Sequence, residues 1–260
     1  MGKLIAVGNL KGGTGKSTIA VNLACALLDA DHTVALVDAD GQGTATDWHA
    51  GGGLPVLVEA LPLGTQRDAQ KWVARVLALK AAADYVVVDL PPQVGSGIAS
   101  ALLLADALLV PVSPSGVDLR ATGRALDLLR RARAVRGSAK PAAMLVPSRV
   151  DRRTVIGRRV HATLARFGLR VGPEIRQRSD HVKAFAAGTW VGVSAPGSLA
   201  HREIRVLKDR VLEMLLEDAA RSTKVEVGSI VPSPPRSGAV SGYEIGRGMA
   251  LSASGDLAGS

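Results

Sequence analysis

The stretch Leu4-Ile5-Ala6-Val7-Gly8-Asn9-Leu10-Lys11-Gly12-Gly13-Thr14-Gly15-Lys16-Ser17-Thr18 decides how this chain folds. Its first four residues are a short continuous apolar run, the pattern of a strand buried on both faces. From Thr18 to Leu28 the apolar residues recur at helical spacing. The segment between strand and helix ends Gly15-Lys16-Ser17, as a P-loop does. In such a loop Lys16 reaches the β- and γ-phosphates and the Ser17 hydroxyl binds Mg²⁺. The backbone N–H groups of Gly12 to Lys16 cradle phosphate oxygens at a helix N-terminus. Gly12, Gly13, Thr14, Gly15, Lys16, Ser17 and Thr18 are therefore the candidate nucleotide-binding residues. The spelling departs from the usual pattern, which has Gly where Leu10 stands. A second lysine, Lys11, precedes Lys16 by five residues, and bending a loop around phosphate gives it no local use.

Working outward, short apolar strands alternate with helical patterns. The spacing predicts strands at 3–8, 33–37, 84–88, 107–112 and 142–147. It predicts helices at 16–30, 66–82, 96–105, 117–135, 152–167 and 199–219. This alternation argues for an α/β fold: a single P-loop NTPase domain over residues 1–221, with a mostly parallel twisted sheet flanked by helices on both faces. Ligand chemistry then gathers in loops at the carboxyl ends of the strands. Residues 41–64 are Gly-rich and read as irregular and mobile. Residues 222–260 hold 8 Ser, 7 Gly and 3 Pro without a sustained period, and read as a disordered tail. In the predicted helix at 117–135, Leu119, Leu126 and Leu129 share one side and Arg120, Arg124 and Arg131 another, which is ordinary amphipathicity.

The chain of 260 residues carries a formal charge of +9, unevenly placed. Residues 1–119 hold 7 basic and 11 acidic side chains, whereas residues 120–183 hold 17 basic and 4 acidic. Such concentration suggests a polyanionic partner, nucleic acid before anionic membrane. No aromatic residues interleave with the basic set, which argues against stacking on single strands. The one cysteine, Cys25, falls on the apolar side of the first helix. It permits no internal disulfide, suits a reducing compartment and reads as a small core residue. No apolar stretch reaches membrane-spanning length, and the N-terminal run is too short for a signal peptide.

Two further loops carry carboxylates. Val34-Ala35-Leu36-Val37 leads into Asp38-Ala39-Asp40-Gly41-Gln42, where a carboxylate can reach the γ-phosphate side. Tyr85-Val86-Val87-Val88 leads into Asp89-Leu90-Pro91-Pro92, and an Asp in that place is the usual second magnesium element of P-loop ATPases. The GTPase pattern Asn-Lys-x-Asp is absent, which favours ATP. Ser148 and Arg149, after the strand at 142–147, are the candidates for the base.

The spelling Lys-Gly-Gly-x-Gly-Lys-Ser resembles the deviant P-loop of the ParA/MinD superfamily. The resemblance to ParA-type partition ATPases, in their small form without an N-terminal DNA-binding extension, covers residues 1 to about 219. It includes the stretch from Glu174 to Phe185 followed by Gly188. It implies that Lys11 crosses a nucleotide-sandwiched homodimer to touch the partner's ATP. It implies that Asp40 positions or activates the attacking water while Asp38 lies further back, near Mg²⁺ and its waters. Catalysis would rest on Lys11, Lys16 and Asp40, and Ser17, Asp38 and Asp89 would attend the metal. Gly41 stands where the family has Pro, so this loop should be looser. Hydrolysis would be slow alone and stimulated by an adaptor of the ParB kind on a cargo. In the family, basic residues contact nonspecific duplex DNA; the candidates here are Arg152, Arg153, Arg158, Arg159, Arg178, Lys183, Arg202 and Arg205. A cytoplasmic, nucleoid-associated protein is implied. The tail lacks the basic amphipathic helix of MinD, which argues against membrane binding. The alternatives are a metabolic enzyme of the same fold, like dethiobiotin synthase, and a switch for a protein partner.

Overall fold

The computed structural model describes residues 1–64, 69–92 and 96–230. The order opens with β1 (Lys3–Val7), α1 (Lys16–Leu28), β2 (Val34–Asp38), α2 (Thr44–Ala50), β3 (Leu57–Ala60) and α3 (Ala69–Ala82). It continues with β4 (Tyr85–Asp89), α4 (Ser96–Leu104), β5 (Ala107–Val112), α5 (Gly116–Arg136) and β6 (Ala142–Val150). The last part comprises α6 (Val155–Arg158), α7 (Val160–Ala165), β7 (Arg170–Val171), β8 (Ile175–Arg176), α8 (Ser179–Ala186), α9 (Val191–Ser194) and α10 (Leu199–Ile230).

The eight strands form one sheet ordered β3-β2-β4-β1-β5-β6-β7, with β8 pairing β6 beyond the end of the β7 contact. Every pairing is parallel. Parallel sheets need both faces covered, and alternate residues of the central strands enter two separate cores. Ile5 and Val7 pack with α1, Trp48 of α2, Ala184 of α8 and Ile204 and Leu207 of α10. Leu4 and Ala6 pack with Trp72 and Val76 of α3, Leu102 of α4, Leu129 of α5 and Leu164 of α7. Cys25 is buried in the first of these cores, and burial pushes its thiol up to about 12. It is a packing residue and not a nucleophile.

All five predicted strands are present. The stretch 41–64 is not irregular, because it contains α2 and β3. The helix expected at 152–167 is broken into α6 and α7 with Arg159 at the junction. Asp151 delays the start: its carbonyl accepts from the Thr154 backbone N–H and hydroxyl, at 3.2 and 2.8 Å, so the chain turns before α6 begins. The helix expected at 66–82 is described from Ala69, and residues 65–68 lie outside the described residues. α10 runs to Ile230 where an end at 219 was expected. The chain divides into a unit Met1–Ser222 and a unit Thr223–Ser260. Of the expected disordered tail, residues 231–260 lie outside the described residues.

Below β1 and β5, Asp106 is buried and receives Lys80 Nζ at 2.8 Å and the Leu4 backbone N–H at 2.9 Å. Burial opposes its ionisation, but these hydrogen bonds outweigh burial and hold its pKa below the ordinary value. This contact fixes the end of the sheet opposite the phosphate loop.

A candidate nucleotide site

At the carboxyl end of β1 the chain turns through the glycine-rich loop into α1. Gly15 is the N-cap of α1 and takes φ +85°, a left-handed conformation costly for other residues. A Cβ there would stand 2.7 Å from Ser148 Oγ, so glycine is required by space as well as by backbone. The first turn of α1 has neither a side-chain cap nor an acidic residue. Its backbone donors therefore remain available to an anion, which the helix dipole favours. Lys16 is 7% exposed, and its Nζ donates to the Lys11 carbonyl at 3.3 Å. Burial lowers the Lys16 pKa, while the charges of Asp89 and Asp40 raise it in opposition.

The carboxylates meet this loop from two neighbouring strands. Asp38 and Asp89 are register partners at the ends of β2 and β4. Asp89 is wholly buried, and neither of its oxygens has a hydrogen-bond partner of good geometry among the described residues. Desolvation pushes its carboxyl up to about 7. The nearby Ser17 hydroxyl acts against this, Asp38 and Asp40 reinforce it, and Lys16 opposes it. An orphaned buried carboxylate beside a hydroxyl is what a hard cation would satisfy. Magnesium usually takes one or two carboxylates and fills its octahedron with water and phosphate oxygens. Among the described residues no group of three His, Cys, Asp or Glu forms a closed cage. Ser17 and Asp89 thus fit a cation brought in with phosphate.

Asp38 serves a different partner. Its Oδ2 accepts from the Thr46 backbone N–H at 2.9 Å and the Thr46 hydroxyl at 3.0 Å. Its Oδ1 accepts from the Asp40 N–H at 3.2 Å. It therefore pins the start of α2 behind the cleft and orients the loop carrying Asp40. Asp40 lines the cleft, and its Oδ1 accepts from the Gln42 N–H at 3.0 Å. A Cβ on Gly41 would meet nothing within 4 Å, so the loop has room for a side chain there.

The cleft itself measures about 470 Å³. One wall is the phosphate loop through Thr18 and Ile19. The facing wall contains Ser148 and Arg149 from β6 and Gln177, Arg178, His181 and Val182 from the β8–α8 segment. Ser148 and Arg149, the candidates for the base, therefore line the cleft. Arg149 takes φ +54°, and its Nη1 donates to the Gly13 carbonyl at 2.8 Å, tying this wall to the phosphate loop. The β8–α8 residues were missed as cleft residues; the resemblance over Glu174–Phe185 was the signal available. Lys11 does not line this cleft. It lines a neighbouring depression with Ser113, Ser115, Asp151 and Thr154, which adjoins the cleft at Gly12, Gly13, Arg149 and Gln177.

The eight basic candidates divide by their partners. Arg152 forms a two-pronged pair with Glu174 at 2.8 and 2.5 Å, Arg153 pairs with Asp151 at 2.8 Å, and Arg178 with Glu203 at 2.6 Å. Arg158 donates to the carbonyls of Arg152 and Arg153. Among the described residues Arg158, Arg159, Lys183, Arg202 and Arg205 have no carboxylate within ion-pair distance, and all five are exposed. No helix among the described residues is long and apolar enough to cross a membrane.

Residues 5–190 match the family model described as the CobQ/CobB/MinD/ParA nucleotide binding domain. The chain is 32% identical to the Maintenance of carboxysome distribution protein A of Halothiobacillus neapolitanus, over 80% of this chain and 95% of that protein. Its fold is similar to a Cyanothece McdA variant solved as an ATP complex, with TM-score 0.67 and 19% identity, covering 82% of this chain and 96% of that one. It is likewise similar to the septum site-determining protein MinD of Pyrococcus horikoshii complexed with Mg-ADP, with TM-score 0.64 and 20% identity, covering 81% and 96%. The phosphate loop, the paired strand-end carboxylates and these matches lead to one conclusion: the chain belongs to the ParA/MinD family of nucleotide-binding ATPases.

Proposed function

We propose that this protein is an ATP-driven positioning switch. Bound with Mg²⁺ and ATP it closes into a homodimer, and the dimer holds nonspecific duplex DNA. An adaptor on a cargo then stimulates hydrolysis and release. The observation that carries this reading is the placement of Lys11. It stands on the phosphate loop but lines the depression outside its own cleft. A lysine there is poised for phosphate held by a second copy, where it would supply positive charge to the transition state. Within one copy, the first turn of α1 and Lys16 bind the phosphates, Ser17 and Asp89 hold the cation, and Asp40 orients the attacking water. When bound with the nucleotide, magnesium would supply neutralisation of the phosphate charge. Asp38 holds the Asp40 loop in place through its bonds to Asp40 and Thr46.

The DNA-binding face is assigned to the exposed cations without carboxylate partners, Arg158, Arg159, Lys183, Arg202 and Arg205. Arg152, Arg153 and Arg178 contribute less, since each would have to leave a carboxylate. The cargo is named by its adaptor; the carboxysome protein among the relatives makes a protein-shelled compartment one candidate beside plasmid and chromosome.

The test is binding to random-sequence duplex DNA without nucleotide, with ADP and with ATP. Wild type should bind only with ATP, Lys11→Ala should fail, and Asp40→Ala should bind and persist. Each phosphate contact should steepen the log–log salt dependence by about 0.9. Absence of DNA binding in every nucleotide state at low salt would refute the switch. A metabolic enzyme or protein-partner switch would then be the better account.

A further inference from the structure

β8 is two residues long and touches the sheet through only Ser148–Ile175 and Val150–Arg176, with a register shift between them. The next ladder bond, Gln177 N–H to the Val150 carbonyl, is long at 3.3 Å. Yet the segment running on from β8 supplies the cleft wall that faces the phosphate loop, including Gln177, Arg178 and His181. A strand this short cannot hold a wall by ladder bonds alone.

One carboxylate on another element does what the ladder does not. Glu203 of α10 accepts the Arg176 backbone N–H at 3.1 Å. It also accepts Arg178 Nε at 3.1 Å and Arg178 Nη2 at 2.6 Å. Both side chains are mostly covered, at 19% and 16% exposure, so water screens the pair weakly. Glu203 does not line the cleft. Its neighbours on α10, Arg202 and Arg205, are exposed.

We propose that Glu203 is a positioning residue for nucleotide binding: it clamps the Arg176–Arg178 wall and thereby couples the cleft to the basic turn of α10. Charge-assisted bonds to an ordered wall favour the state in which the wall is already placed for the nucleotide. Coupling of this kind is reciprocal, so if nucleotide favours binding at the Arg202–Arg205 turn, a ligand on that turn favours nucleotide binding by the same factor. The second half of the proposal rests on the DNA-binding reading given above; the first half does not.

The experiment measures binding of a fluorescent ATP analogue with Mg²⁺ to the full chain, well below the melting temperature. Glu203→Gln keeps the size but loses the charge and turns an amide donor on Arg178. Its Kd should rise about tenfold, which corresponds to about 1.4 kcal/mol. Glu203→Asp keeps the charge and should stay within about threefold of wild type. Glu213→Gln, which removes an exposed carboxylate paired with Arg210 on the same helix, controls for loss of charge and should leave Kd unchanged. If Glu203→Gln unfolds, the Asp variant decides: its shorter reach should raise Kd about two- to threefold, and a folded Asp variant with wild-type Kd overturns the proposal. Glu203→Gln folded with wild-type Kd overturns the proposal. With DNA added, the ratio of affinities in ATP and ADP should shrink toward one in Glu203→Gln. If wild type binds no DNA at all, the switch reading fails, while the nucleotide titration still decides the role of Glu203.

Discussion

Replacing Asp89 with asparagine should make the nucleotide-free protein more stable at alkaline pH while weakening its response to Mg·ATP. Asp89 is wholly buried without a well-placed hydrogen-bond partner, and burial pushes its carboxyl up to about 7. In the unfolded chain its pKa returns to about 3.8. Between those values the folded state holds a proton that the unfolded state has released. Stability therefore falls as pH rises from about 4 to about 7, and the full penalty persists above. A difference of about three pKa units corresponds to about 4 kcal/mol, an upper bound because water penetration relaxes such sites. Asparagine carries no charge but brings amide donors that need partners, at a cost of about 1–3 kcal/mol. The net expectation at pH 8 is a gain of about 1–3 kcal/mol, or several degrees in melting temperature for a domain of this size. At pH 5 the wild-type carboxyl is protonated and the gap should close. The assay is thermal or urea unfolding of both proteins from pH 5 to pH 8, without nucleotide and with Mg·ATP. Wild type should gain more from Mg·ATP than the variant. An asparagine variant less stable than wild type at pH 8, with a parallel pH profile, would refute the argument that Asp89 is an uncompensated buried charge.

Gly15→Ala should abolish nucleotide binding, because its Cβ would meet Ser148 Oγ at 2.7 Å and its φ is left-handed; isothermal titration with Mg·ATP checks this. Lys80→Met removes the nearer of two cations from buried Asp106, leaving Lys140 at 3.8 Å, and should cost about 3 kcal/mol or somewhat less in urea unfolding at pH 7. His181 is mostly buried with both ring nitrogens unpartnered among the described residues, and burial lowers its pKa. Its neutral form is therefore favoured in the fold, and stability should fall as pH drops below about 6.5. His181→Leu should flatten that slope in unfolding measured between pH 7.5 and pH 5.5.

What the sequence made legible followed from how locally each feature is determined. The phosphate loop is written in eight contiguous residues because a helix N-terminus and its glycines are local geometry. The central strands were equally plain, since burial on both faces demands unbroken apolar runs. α2 was invisible because its first turn is held by Asp38, on the strand before it, and not by a neighbouring cap. β7 and β8, at two residues each, are too short to carry a period. Arg178 looked like one more surface cation in a basic third of the chain. Its partner lies 25 positions away on α10, a pairing that no local pattern encodes. The phosphate end of the cleft is thus spelled out by motif, while the opposite wall is assembled by long-range contacts. For that reason the two ends should respond differently to mutation. Changes in the loop strike binding directly, whereas the wall should also respond to changes at residues such as Glu203 that do not line the cleft.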